Sequence, residues 1–203
     1  MLVYNAGCIF SMAGRTDEAL VEAHTALEHD PASISIRRSV GYAYLYARRY
    51  DQVRHHLSRA MEMNPTQEEN YRILGMSLSI QGHGDEAIQV LREGRALPGS
   101  STYTAGTLGW ALARHGEPGA AREILRELED TARESYVSPV SFATLQIGLG
   151  NVDEALKWAE RAMAERRGWP VYFQVNPLVD PLRGHPRFDA LIRGMGLPRK
   201  PAA

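Results

Sequence analysis

A period of 34 residues governs this chain. Gly7, Gly41, Gly75 and Gly109 follow one another at that spacing, and Ala143 takes the fifth place. A second column reads Gly14, Arg48, Gly82, Gly116 and Gly150, and a third reads Ala19, Val53, Ala87, Ala121 and Ala155. Asp-Glu-Ala recurs at 17–19, 85–87 and 153–155. Three columns in register over five units mark an array of stacked supersecondary units. Such a chain folds as one continuous module even at a length that otherwise suggests one or two globular domains.

The spacing inside one unit dictates a helical hairpin. Leu74 and Leu78, then Ala87 and Leu91, form two apolar stripes with helical periodicity. The glycine between the stripes suits the left-handed residue that ends a helix. The acids after it suit the next helix N-terminus, through capping and the macrodipole. The small residue at Gly75 predicts close approach of two helices, so leucine there overpacks the contact. Arg48 departs from the turn glycines. A left-handed arginine is strained by about 1 kcal/mol, so a differently built second turn is expected.

These columns resemble the tetratricopeptide repeat. Tyr71, Leu74, Gly75 and Leu78 match its first helix, Ala87 and Leu91 its second, and Pro31 and Pro65 its closing proline. Pro98 falls one residue early, and the fourth and fifth units lack the proline. The resemblance implies an all-α, right-handed solenoid of about five hairpins, with units 1–33, 34–67, 68–101, 102–135 and 136–169. Residues 170–203 break the period and are expected to cap the last hairpin. Residues 169–173, at the junction, are expected to be extended, Asp180-Pro181 to open a short helix, and Pro186 to open another with Phe188, Leu191 and Ile192 on one face. The run 180–188 resembles the ends of repeat modules in bacterial signalling and transcription-regulating proteins. The chain starts one residue into a unit, with Leu2, Val3 and Tyr4 on an uncapped first helix, so upstream sequence is expected.

Composition narrows the function. The net charge is −1 with both signs mixed, which gives no electrostatic footprint for nucleic acid or an anionic membrane. One cysteine excludes an internal disulfide framework and fits a reducing, cytoplasmic setting. No apolar run is long enough for a membrane span. Gly82-His83-Gly84 with Ala87 has the letters of a dinucleotide loop, but a helix precedes it where that motif requires a strand. The seven histidines show no metal-ligand spacing. No nucleophile elbow or carboxylate pair stands out. No enzyme activity, cofactor or metal is expected.

The informative stripe lies on the first helix of each unit, at positions i, i+4 and i+8. It contains Tyr4, then Arg38, Tyr42 and Tyr46, then Arg72 and Met76, then Trp110 and Arg114. In the family that this chain resembles, this face lines the concave groove that receives partner peptides. Tyr, Trp and Arg are the residue types enriched at binding hot spots. The family's clamp for acidic C-terminal peptides uses Lys and Asn in these columns, and neither is present. The expectation is a scaffold that binds a protein or peptide segment with apolar anchors and an acidic group facing Arg38, Arg72 or Arg114. The uncapped first helix offers a surface through which two copies could pair. Two rival readings are a sensor module of a longer bacterial regulator, and a small ligand-binding protein or enzyme using Trp169, Tyr172 and Phe173.

Overall fold

The computed structural model describes residues 9–165 and 169–196, and their regular structure is helical throughout. Helix α1 contributes residues 9–12. It is followed by α2 (Thr16–His29), α3 (Ile34–Tyr46), α4 (Tyr50–Met63), α5 (Glu68–Ile80) and α6 (Gly84–Ala96). Next come α7 (Thr102–Arg114), α8 (Pro118–Glu134), α9 (Pro139–Gly148) and α10 (Val152–Glu165). Two 3-10 segments, Trp169–Gln174 and Pro177–Leu182, form the tail ahead of α11 (Pro186–Gly194). The result is an all-helical solenoid. Each helix from α2 to α7 packs on the next, and α3, α5, α7 and α9 also touch one another in sequence as an inner layer.

The glycine columns do what their chemistry requires. Gly14, Gly82, Gly116 and Gly150 all take positive φ in the turns between paired helices. Arg48 does too, at φ 63°, so the second turn is built like the others. The strain is tolerated there, contrary to the expectation of a different turn, and Arg48 has a partner described below. The small slot also acts as expected. A Cβ on Gly75 would lie 2.4 Å from Leu91 Cγ, and one on Gly41 2.8 Å from Leu57 Cδ2. Gly109 differs, because its Cβ would meet Leu145 Cδ1 of α9 at 2.5 Å, with Ile124 of its own hairpin farther off at 3.7 Å.

The recurring acids are not caps. Arg15, Arg49 and His83 occupy the N-cap positions of α2, α4 and α6 without a side-chain cap bond, and the acids sit in the first turn. There they favour the positive end of the helix dipole and link neighbouring units. Arg49 Nη2 pairs with Asp17 Oδ1 at 3.1 Å, Gln81 Nε2 donates to Asp51 Oδ1 at 2.8 Å, and Arg54 forks onto Glu86.

Regularity ends at α8. Ala121, Ile124 and Leu128 are its buried positions, whereas Leu125, one period after Leu91, is half-buried. Helix α8 touches α9 little, and α9 instead packs closely on α7. A Cβ on Gly106 would lie 2.6 Å from the Ser141 carbonyl oxygen, and one on Gly148 2.6 Å from Trp110 Cα. Backbone meets backbone at both points, which only a residue without a side chain permits. The tail departs from expectation as well. Residues 169–174 are 3-10 rather than extended, and the second segment starts at Pro177 under an Asn176 cap, leaving Pro181 inside it. Helix α11 begins at Pro186 and buries Phe188.

Candidate functional site: the inner face and the tail that crosses it

The stripe predicted for the groove lies on the inner layer. Met76 is 2 % exposed, Tyr46 and Trp110 4 %, and Arg72 5 %. Tyr42 and Arg38 are half-buried and Arg114 is exposed. Tyr4 lies outside the described residues, as does the side chain of Trp169.

At the N-terminal ends of the inner helices the stripe is a charged network. Glu69 Oε2 accepts from Arg38 Nε at 2.9 Å, and Glu69 Oε1 accepts from Tyr42 Oη at 2.8 Å and from Arg72 Nη2 at 3.2 Å. Arg72 Nη2 also donates to Tyr42 Oη at 2.6 Å. Its guanidinium lies 6.0 Å from the Tyr42 ring centre and 5.9 Å from that of Tyr103, a cation–π arrangement. Burial pushes the Tyr42 hydroxyl well above the usual tyrosine range, with Arg72 opposing that rise. On Arg72 burial acts against the charge, but Tyr42 and Glu69 outweigh it and the guanidinium is held more firmly charged than usual. Glu68 extends the network, accepting from Ser101 Oγ at 2.7 Å and from the Thr104 hydroxyl. Of the three arginines expected to face an acidic partner group, two thus already face Glu69. Arg114 instead stacks at 5.8 Å over Trp110, and among the described residues no carboxylate pairs with it.

At the C-terminal end of α3 the tail meets this face. Tyr46 stacks on Tyr42 at 5.6 Å between ring centres and on Tyr172 of the tail at 5.3 Å. Arg48 forks onto Asp180, with both bonds at 2.8 Å. A Cβ on Gly14 would lie 3.6 Å from Gln174 Nε2 and 3.9 Å from Val175 Cγ1. The tail therefore reaches from the last hairpin back to the first two turns. Arg183 braces it, donating to Asp180 Oδ1 at 2.7 Å and to the carbonyls of Phe173 and Asn176. Phe173, Val175, Leu178, Val179 and Leu182 are buried with Tyr46, Met76 and Trp110 in one apolar core. Burial raises the Tyr46 hydroxyl well above its usual range, and that oxygen has no hydrogen-bond partner among the described residues.

The sequence pointed to Tyr42, Tyr46 and Arg72 but not to Glu69, to Tyr172 as a partner of Tyr46, or to the Arg48–Asp180 pair. One signal was visible: an arginine in a column of glycines. Gly82 and His83 lie in the turn between α5 and α6, Gly84 opens α6, and a helix rather than a strand comes ahead of them. Among the described residues, no three His, Cys, Asp or Glu side chains are grouped to hold a metal, and no helix is long and apolar enough to cross a membrane.

Paired helices repeating around a shared inner layer define a helical-repeat protein. The chain belongs to the tetratricopeptide repeat family, whose profile matches residues 39–173. Among solved structures it is similar to TTC0263, a thermophilic TPR protein of Thermus thermophilus, with 19 % identity and a TM-score of 0.65 over 94 % of this chain and 97 % of that one. It is also similar to a chain of the APC/C hetero-tetramer Cut9–Hcn1, at 16 % identity and a TM-score of 0.59, covering 93 % of this chain and 37 % of that one. A repeat protein of Parabacteroides merdae ATCC 43184 gives 14 % identity and 0.54, covering 98 % and 80 %. At these identities the likeness is one of fold. No functionally curated protein matches the chain. The tetratricopeptide fold commonly mediates protein–protein interaction, and its members are generally non-enzymatic scaffolds.

Proposed function

We propose that this chain is a non-catalytic interaction scaffold, and that its partner is a protein segment held on the inner face of the solenoid. The five units of 1–33, 34–67, 68–101, 102–135 and 136–169 act with the tail as one module. One observation carries the reading: the inner face already holds a peptide-like segment, the 3-10 tail, against Tyr46 and the first two turns. A face that accepts such a segment from its own chain has the shape and chemistry to accept one from another. Arg38, Tyr42 and Arg114 form the accessible rim at which a partner first docks. Tyr46, Arg72, Met76 and Trp110 lie beneath it as anchors. Tyr4 extends the same stripe in sequence. The similar chain in the Cut9–Hcn1 assembly is itself part of a hetero-tetramer, which agrees with a partner-binding role. The single cysteine agrees with a reducing, cytoplasmic setting.

The test is photo-cross-linking in the host cell, with the reactive residue placed at Tyr42 or Arg114 on the inner rim and at Gln89 or Glu123 on the outer helices. A partner cross-linked from the rim positions alone is expected. Cross-links from the outer positions alone would overturn the assignment of the face.

A further inference from the structure

The contacts of the tail fall into two kinds. Its anchor is apolar and buried: the segment Pro177–Leu182 packs on α9 and α10, and Phe173 lies 6.3 Å from Phe188 between ring centres. Its crossing to the first two hairpins is thinner. It includes the Tyr46–Tyr172 stack, the approach to Gly14, and the Arg48–Asp180 pair, whose side chains are 37 % and 45 % exposed. An ion pair this exposed holds weakly. Yet Arg48 is the one non-glycine residue with positive φ among the described residues. Glycine would sit there without strain, as it does in the other described turns of the column. An observed backbone outlier of this kind points to a task for the side chain, and the task on view is a bidentate grip on a carboxylate, for which the planar guanidinium fork is suited. Tyr46 presents the matching apolar half, a ring whose buried hydroxyl lacks an acceptor among the described residues.

We propose that the Tyr172 ring and the Asp180 carboxylate, presented by the anchored tail, are an intramolecular ligand that keeps the inner face closed, and that the partner opening it is a protein segment of the same chemistry, with an aromatic ring for Tyr46 and a carboxylate for Arg48. This rests on the scaffold reading and names its partner class. The tail competes with the partner, so apparent affinity falls by the fraction of molecules in which the face is closed. The anchor on α9 and α10 keeps the displaced tail nearby, so closure returns when the partner leaves.

The experiment titrates a fluorescent synthetic peptide of residues 171–183 into the purified full-length chain. Asp180→Asn, which weakens the latch without burying anything new, should bind the peptide about fivefold more tightly than the unaltered chain. Tyr172→Ala combined with Asp180→Asn should exceed about tenfold. Arg48→Gly should gain nothing, since the same change opens the latch and removes the receptor. A peptide with alanine in place of its aspartate should lose most of the gain seen with Asp180→Asn. Equal affinities for the unaltered chain and the double variant would overturn competition by the tail. Equal affinities for the aspartate and alanine peptides would overturn the role of Arg48. Either failure leaves cross-linking at Tyr42 and Arg114 untouched, and cross-links from Gln89 or Glu123 alone would overturn the inner-face reading while leaving this titration as it stands.

Discussion

A glycine in this array is worth what its neighbour cannot yield. Gly75 faces the Leu91 side chain, so Gly75→Leu should cost about 1–3 kcal/mol through overpacking. Gly148 faces the Trp110 backbone, which cannot rotate away as a leucine can. Gly148→Ala should therefore destabilise more than Gly75→Ala, although each adds one methyl group. Urea midpoints at unchanged slope check the order, and a reversed order would remove the backbone argument. Arg48→Gly is the counter-case. It relieves about 1 kcal/mol of left-handed strain and forfeits an exposed ion pair worth about 0–1 kcal/mol, so stability should barely move while the latch is lost. Periodicity made Gly41 and Gly75 legible, because their contacts lie within one hairpin. Gly106 and Gly148 were not legible as a pair. They are not one period apart, and their common role appears only when α7 and α9 are seen side by side.

Among the elements, α2, α3 and α4 share a cluster whose charge state is set by packing. Tyr44 stacks on His56 at 5.3 Å between ring centres, His24 and His55 approach the same ring edge-on at 5.6 and 5.1 Å, and His24 Nε2 lies 2.6 Å from Tyr44 Oη. Burial, then the neighbouring His55, His24 and Arg37, lower the His56 pKa to about 4. His56 Nδ1 has no hydrogen-bond partner among the described residues. The native pKa lies below the ordinary histidine value, so between about pH 6.5 and 4 the unfolded chain binds a proton that the folded chain refuses. Stability is then complete above pH 6.5 and declines as pH falls through that window, by on the order of 1–2 kcal/mol after allowance for solvent near the ring. His56→Phe should flatten this part of the profile in thermal melts at pH 7.5 and 4.5. An unchanged slope would place the titration elsewhere. His55 and His56 are neighbours in the sequence, but nothing there shows that α2 supplies a third ring. In α8 the period misled outright. Its buried face runs through Ile124 and Leu128 because α9 lies on α7 and leaves the expected seam beside Leu125 only half-covered.

At the scale of the molecule, two separate clusters are tied together. Among the described residues, Ala19, Leu20, Ala23, Val40 and Ala43 form a cluster of their own between α2 and α3, apart from the main core that runs from Leu45 to Phe188. In a stacked array stability is close to a sum of unit and nearest-neighbour terms, so helices outside the main core open before those within it. The tail offsets this by joining Arg48 to Asp180, 132 residues apart in the chain. The arginine in the glycine column marks Arg48 as unusual, but no local pattern names a partner at that range. The 34-residue period therefore reveals the solenoid and its inner stripe, but it places the tail only over the last hairpin. Native-state hydrogen exchange separates the two effects. Amides of α2 should open at a lower free energy than those of α5 and α7. Asp180→Asn should then lower protection in α2 and α3 by up to about 1 kcal/mol, the upper range for an exposed ion pair, with α5 and α7 unchanged. A uniform drop across all four helices would mean that the array opens as one unit and that the latch is no more than one contact in a single cooperative core.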